Sequence, residues 1–200
     1  MTLDNLAMLY RIQDNYELAE PLFKRALSIR ESTLGPEHPM TASTLNNLAV
    51  LYRLQGNYTQ ARPLFERALR IREQTLGPDH PTTATAISNL AYLARLQGQD
   101  EQTLQFYEQA LSIREHAFGP EHPNATITWL NIGELYLEMQ QYEQAEDALQ
   151  RALLTHEQAF GGKHPRIARM LEVYGQLLHA MGRDEEAKQY EERVKAIRQR

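Results

Sequence analysis

An all-α chain of antiparallel helix pairs stacked in tandem follows from three observations. The phrase LGPEHP at residues 34–39 returns as LGPDHP at 76–81, FGPEHP at 118–123 and FGGKHP at 160–165, at a constant step of 42 residues. A fixed period of about 20–50 residues marks one supersecondary unit repeated in tandem, a solenoid. Within each step apolar residues recur at helical spacing, and strand alternation is absent throughout.

The elements follow from laying the copies over one another. TLDNLAMLYRIQDNYELAEPLFKRALSIRE (2–31) lies over TLNNLAVLYRLQGNYTQARPLFERALRIRE (44–73) and then over the copies at 86–115, 128–157 and 170–199, the last having drifted most. Each copy reads as two helices. In the second, Leu45, Leu48, Ala49 and Tyr52 share one stripe, Gly56-Asn57 breaks the helix, and a second stripe runs Tyr58, Ala61, Leu64, Phe65, Ala68, Leu69. Pro21 and Pro63 fall about six residues into the second helices, where they bend the first turn slightly. Thr103 stands where alanine recurs in other copies, which loosens that helix crossing. The repeated phrase is a stop followed by a start. Gly35, Gly77, Gly119 and Gly161 suit a left-handed helix cap, and Pro36, Pro78 and Pro120 forbid continuation. Pro39, Pro81, Pro123 and Pro165 suit the first turn of the next helix. His38, His80, His122 and His164 each lie on a different loop with no second ligand at i+3 or i+4, so they read as structural loop residues and not as a metal site.

Composition narrows the function. Residues 1–100 hold 10 basic and 10 acidic residues, and residues 101–200 hold 11 and 16, so the net charge of −5 resides in the second half. A polyanion binder shows the opposite excess, which argues against a nucleic-acid partner. No apolar run approaches the roughly 20 residues that span a bilayer, so no membrane partner is expected. With no cysteine, disulfides, thiolate metal sites and cysteine nucleophiles are excluded. The N-terminus has no secretory leader pattern, and the expected location is cytoplasmic. No phosphate-binding glycine loop, no G-x-S-x-G and no H-E-x-x-H occurs, so neither an enzyme nor a cofactor site is expected.

The small and aromatic residues at set helical positions resemble the tetratricopeptide repeat, and the 42-residue form, LNNLAVLY…GNY…A…LF.RAL.IRE..LGP.HP, is similar to the repeats of kinesin light chain. Similar arrays occur in bacterial proteins, often C-terminal to a signalling ATPase module. The resemblance implies a single domain of five repeats, at about 1–38, 39–80, 81–122, 123–164 and 165–200, wound as a right-handed superhelix. It also implies a concave groove, lined by the first helices, that binds a peptide or partner protein.

Traced through the copies, the side of the first helix opposite its core stripe gives five rows: Arg11, Arg53, Arg95, Leu137, His179; Asp4, Asn46, Ser88, Leu130, Glu172; Asn5, Asn47, Asn89, Asn131, Val173; Met8, Val50, Tyr92, Glu134, Gln176; and Ile12, Leu54, Leu96, Glu138, Ala180. Arginines hold carboxylates, asparagines offer both a donor and an acceptor to an extended backbone, and apolar residues anchor side chains. An acidic peptide is the expected ligand, with Asn46, Asn47, Arg53, Ser88, Asn89 and Arg95 matching the kinesin light chain groove by position. Asn5, Met8, Arg11, Val50, Tyr92, Asn131 and Glu134 complete the candidate surface. The arginine row also reads as a solvated face, and the asparagine row as structural amides bonded to the preceding loop. Trp129 and the recurring tyrosines read as core, and the repeated Arg-Glu at 30–31, 72–73 and 114–115 as surface or inter-repeat pairs. The competing function is a spacer or self-assembling solenoid without a groove ligand. The C-terminus has a polar outer series ending in Glu191 and Lys195, as a capping helix requires, whereas the N-terminal copy lacks its loop phrase. That end is expected to continue into further repeats or another domain, or to pair weakly with a second copy; otherwise the chain is a monomer.

Overall fold

The structure, a computed structural model, describes residues 2–199, and these form ten α-helices with no strand among the described residues. The first helices of the repeats are α1 (Leu3–Ile12), α3 (Pro39–Leu54), α5 (Pro81–Leu96), α7 (Pro123–Glu138) and α9 (Ile167–Ala180). The second helices are α2 (Tyr16–Thr33), α4 (Tyr58–Leu76), α6 (Asp100–Phe118), α8 (Tyr142–Phe160) and α10 (Asp184–Arg198). The helices gather into two compact units, Met1–Gly98 with α1 to α5 and Gln99–Arg200 with α6 to α10. Inside each unit every helix packs on the next in chain order.

Each loop phrase closes on its own polar groups. In LGPEHPMT, His38 N–H donates to the Gly35 carbonyl at 3.4 Å, and the Thr41 hydroxyl donates to the same carbonyl at 2.9 Å. The His38 ring then caps α3, its Nδ1 accepting from Met40 N–H at 3.1 Å. His80 caps α5 and His122 caps α7 in the same way, each at 3.1 Å. An imidazole nitrogen thus takes the place usually held by a serine or aspartate oxygen. Pro39, Pro81 and Pro123 occupy the first helical position, where a missing N–H costs nothing.

Two expectations are corrected here. The cap glycines have positive φ, but Gly77 sits at φ 93° and ψ 156°, and Gly119 and Gly161 lie close to it. This is the extended mirror region open only to glycine, not the left-handed helical one, and the chain leaves the helix extended there whether Pro78, Pro120 or Gly162 follows. The fourth phrase departs further. Pro165 does not open α9, which starts at Ile167. Two i→i+3 bonds, Ile167 to His164 and Ala168 to Pro165, replace the first helical turn.

The core lies between first and second helices. Ala7, Ala49, Ala91, Gly133 and Gly175 form one buried series, where a small side chain lets the facing helix approach. The approach is closer at Gly133 than at Gly175: a Cβ added at Gly133 would come within 2.6 Å of the Leu149 side chain. Phe23, Leu45, Leu51, Phe65, Ile71, Ile87 and Leu93 fill unit 1, and Tyr107, Leu135, Leu149, Ile167 and Leu171 fill unit 2, all below 2 % exposure. Each such side chain contributes about 1.5–3 kcal/mol. Thr103 is also fully buried, its hydroxyl bonded to the Gln99 carbonyl at 2.9 Å. Glu191 and Lys195 are exposed on α10.

Candidate functional site

The candidate residues fall into two sets. In unit 1, the Asn89 amide donates to the Asn46 carbonyl oxygen at 2.7 Å, joining α5 to α3. The Arg53 guanidinium lies over the Tyr92 ring, 4.6 Å from its centroid. Stacking of this kind contributes about 0.5–1 kcal/mol at an exposed site and leaves the in-plane N–H groups available to an anion. Asn47, Val50, Arg53, Ser88 and Arg95 are half-buried, and Tyr92 is exposed. The Ser88 hydroxyl is turned back to the Ala84 carbonyl at 2.9 Å. Asn5 is exposed on α1, Met8 and Arg11 are half-buried, and the Arg11 Nε is buried without a hydrogen-bond partner. Beside these lie the exposed apolar residues Ile12, Leu54 and Leu96.

Several positions of the same rows are buried or paired in unit 2. Leu130 and Val173 are core residues. Glu134 accepts from Arg169 Nε at 3.1 Å and Nη2 at 2.7 Å, a pair between α7 and α9. Glu172 is paired with Arg198. His179 is held between Asp184 at 2.6 Å and Glu191 at 3.1 Å, and these two carboxylates raise its pKa above the ordinary value. Asn131 is half-buried.

The row of Asp4 is in part interior. Asp4 is buried, bonded to Arg30 Nη2 at 2.7 Å and accepting from the Thr44 hydroxyl at 3.1 Å, while Arg30 also donates to the Met40 carbonyl at 2.8 Å. The repeated arginines therefore do not all belong to the surface. Arg72 and Arg114 are only 8 % and 9 % exposed, and burial lowers the pKa of both guanidinium groups. Arg72 donates to the Thr82 carbonyl at 3.4 Å and Arg114 to the Thr128 hydroxyl, each tying a second helix to the following first helix. The signal was in the sequence: Arg30, Arg72 and Arg114 recur at 42 residues, with threonine at 44 and 128 to receive them. The glutamates beside them behave as expected where Glu31 pairs with Arg67 of the next repeat at 2.6 Å. Trp129 packs half-buried against the core, with Arg151 over its ring at 4.9 Å. No cluster of three or more potential metal ligands occurs among the described residues, and no helix there is long and apolar enough to cross a membrane.

No curated protein matches this sequence. Solved structures do. One, of nearly identical TPR-like repeats named for a kinesin light chain of Podosopora anserina, aligns with a TM-score of 0.81 and 24% identity over 98% of this chain and 92% of its own. BtubC (BKLC) from P. vanneervenii aligns at 0.84 and 24% over 98% and 78%. Aspartyl phosphate phosphatase F from Bacillus subtilis aligns at 0.85 and 19%, over 98% of this chain and 50% of its own. At such identities the likeness is one of fold. The family model described as tetratricopeptide repeat matches residues 1–74, 41–116, 82–153 and 124–200. With that model covering every repeat and a paired-helix unit returning each 42 residues, the chain belongs to the tetratricopeptide repeat family.

Proposed function

We propose that this scaffold captures an acidic peptide segment on the face that α1, α3 and α5 expose in unit 1, as the recognition part of a signalling or adaptor protein. Repeats of this family are protein-interaction scaffolds, typically without catalysis of their own. The observation that carries the finer reading is the Arg53–Tyr92 stack beside the Asn46–Asn89 bond. These side chains are ordered against one another before any ligand arrives, so less entropy is lost on binding. Arg53 and Arg95 supply the charge for carboxylates, and Ile12, Leu54 and Leu96 supply an apolar shelf for an anchoring side chain. Unit 2 supports the same placement from the opposite direction, since Leu130 and Val173 of its matching rows are buried and Glu134, Glu172 and His179 are already paired.

A peptide-display selection tests it, run in parallel on the native chain and on Arg53→Glu/Arg95→Glu. Acidic sequences are expected to enrich on the first and not on the second, with circular dichroism and melting unchanged between them. Equal enrichment on both chains removes the groove assignment. No enrichment on either favours a spacer or self-assembling solenoid.

A further inference from the structure

We infer that unit 2 carries a second binding site, a cavity walled by α6, α7 and α8 that takes an arginine side chain from a partner protein segment. It lies on the side of α7 opposite Asn131 and Glu134 and is separate from the unit 1 face. Its origin is a missing side chain. At steps of 42 residues Leu22, Leu64, Phe106 and Tyr190 hold the position where α8 has Ala148. Ala148 is 1 % exposed, and it lines a cavity of about 500 Å³. Each other copy places a large side chain at that position.

The lining selects a cation. Leu111, Ile132 and Ala148 supply buried apolar surface, and Trp129 and Tyr136 present half-buried rings. Glu108, Glu143 and Asp147 are exposed on the same wall. Among the described residues no lysine or arginine lines it. Aromatic faces attract a cation, and carboxylates pair with its N–H groups, so three carboxylates beside two rings match neither an anion nor a purely apolar group. The chain supplies its own precedent. Arg151 lies over the Trp129 ring, 4.9 Å from the centroid, and pairs with Asp147 at 3.0 Å. Arg151 thus engages one of the three carboxylates, and Glu108 and Glu143 face an incoming group. Burial and the charge of Glu108 together raise the pKa of the Tyr136 hydroxyl, so that carboxylate acts across the cavity. A guanidinium both stacks on a ring and forks to carboxylates, which an ammonium does not.

Trp129 is the chain's only tryptophan, so intrinsic fluorescence reads this cavity. The probe is acetyl-Ala-Arg-Ala-amide, titrated into the intact chain. A saturable change in emission is expected. The citrulline peptide, equal in shape but uncharged, should bind about tenfold more weakly. Ala148→Leu, which restores the side chain that Leu64 supplies, should fill the cavity and weaken binding at least about tenfold. Glu108→Gln/Glu143→Gln tests the charge without touching the packing, and should weaken binding about fivefold with the fold kept. Arg53→Glu/Arg95→Glu should bind the probe as the native chain does. The inference is overturned by an emission that does not respond, or by a citrulline peptide that binds as well as the probe. It is equally overturned by native affinity in a folded Ala148→Leu chain or in Glu108→Gln/Glu143→Gln, or by lost binding in the unit 1 double variant.

Discussion

Gln140 adopts a φ of 59° in the turn between α7 and α8, a position that Gly56, Gly98 and Gly182 hold in other repeats and Asp14 holds in the first. The left-handed region costs a side chain with a Cβ about 1–2 kcal/mol, and the extra freedom of glycine in the unfolded chain returns about 0.4–1 kcal/mol of that. Gln140→Gly is therefore expected to stabilise the protein by about 0.5–1 kcal/mol, raising the melting temperature by about 1–3 °C in a thermal scan. An unchanged or lower value would show that the turn is not strained. Asp14 is the easier tenant, since its carboxylate accepts from the Tyr16 hydroxyl at 2.8 Å. The loop histidines show where reading by residue type ran short. Their structural role followed from their spacing, but that Nδ1 would cap the next helix depended on a ring orientation that only the folded loop provides.

Helices α9 and α10 are fastened by His179, which bonds Asp184 at 2.6 Å and Glu191 at 3.1 Å. Those carboxylates raise the imidazole pKa in the folded state. A raised folded value gives stability that is fully present below the unfolded pKa of about 6.5 and is lost as pH climbs through the folded one. Amide exchange across α10 should accordingly quicken from about pH 5.5 to about pH 8.5 by more than the intrinsic chemistry predicts. In His179→Gln that excess should vanish; its persistence would place the pH response elsewhere. At this scale much was legible. The helix pairs, their break points and the polar C-terminal series followed from period and pattern. The side opposite the core stripe is interior at Asp4, Leu130 and Val173, because a first helix is covered on both flanks by its neighbours and its open face is narrower than a half-cylinder. The late start of α9 needed the absent proline of FGGKHP to be weighed together with the glycine pair.

Across the chain the charge is uneven, balanced over residues 1–100 and −5 over residues 101–200. An acidic ligand meets no net repulsion from the first half, where Arg53 and Arg95 stand. Its affinity for the unit 1 face should fall as salt rises from about 0.05 to about 0.5 M, whereas a neutral peptide of the same apolar content should bind almost unchanged. Equal salt response from the two peptides would remove the electrostatic basis of the site. Gly35, His38 and Thr41 satisfy one another within a single connection, and Gly77, His80 and Thr83 do so again. Joining Leu34 directly to Gly77 would excise residues 35–76, one period of 42, and restore every bond of that connection at the new junction. Genes of this kind can therefore lengthen or shorten by unequal crossing-over between their own copies, adding or shedding recognition surface in whole steps without inventing a new joint.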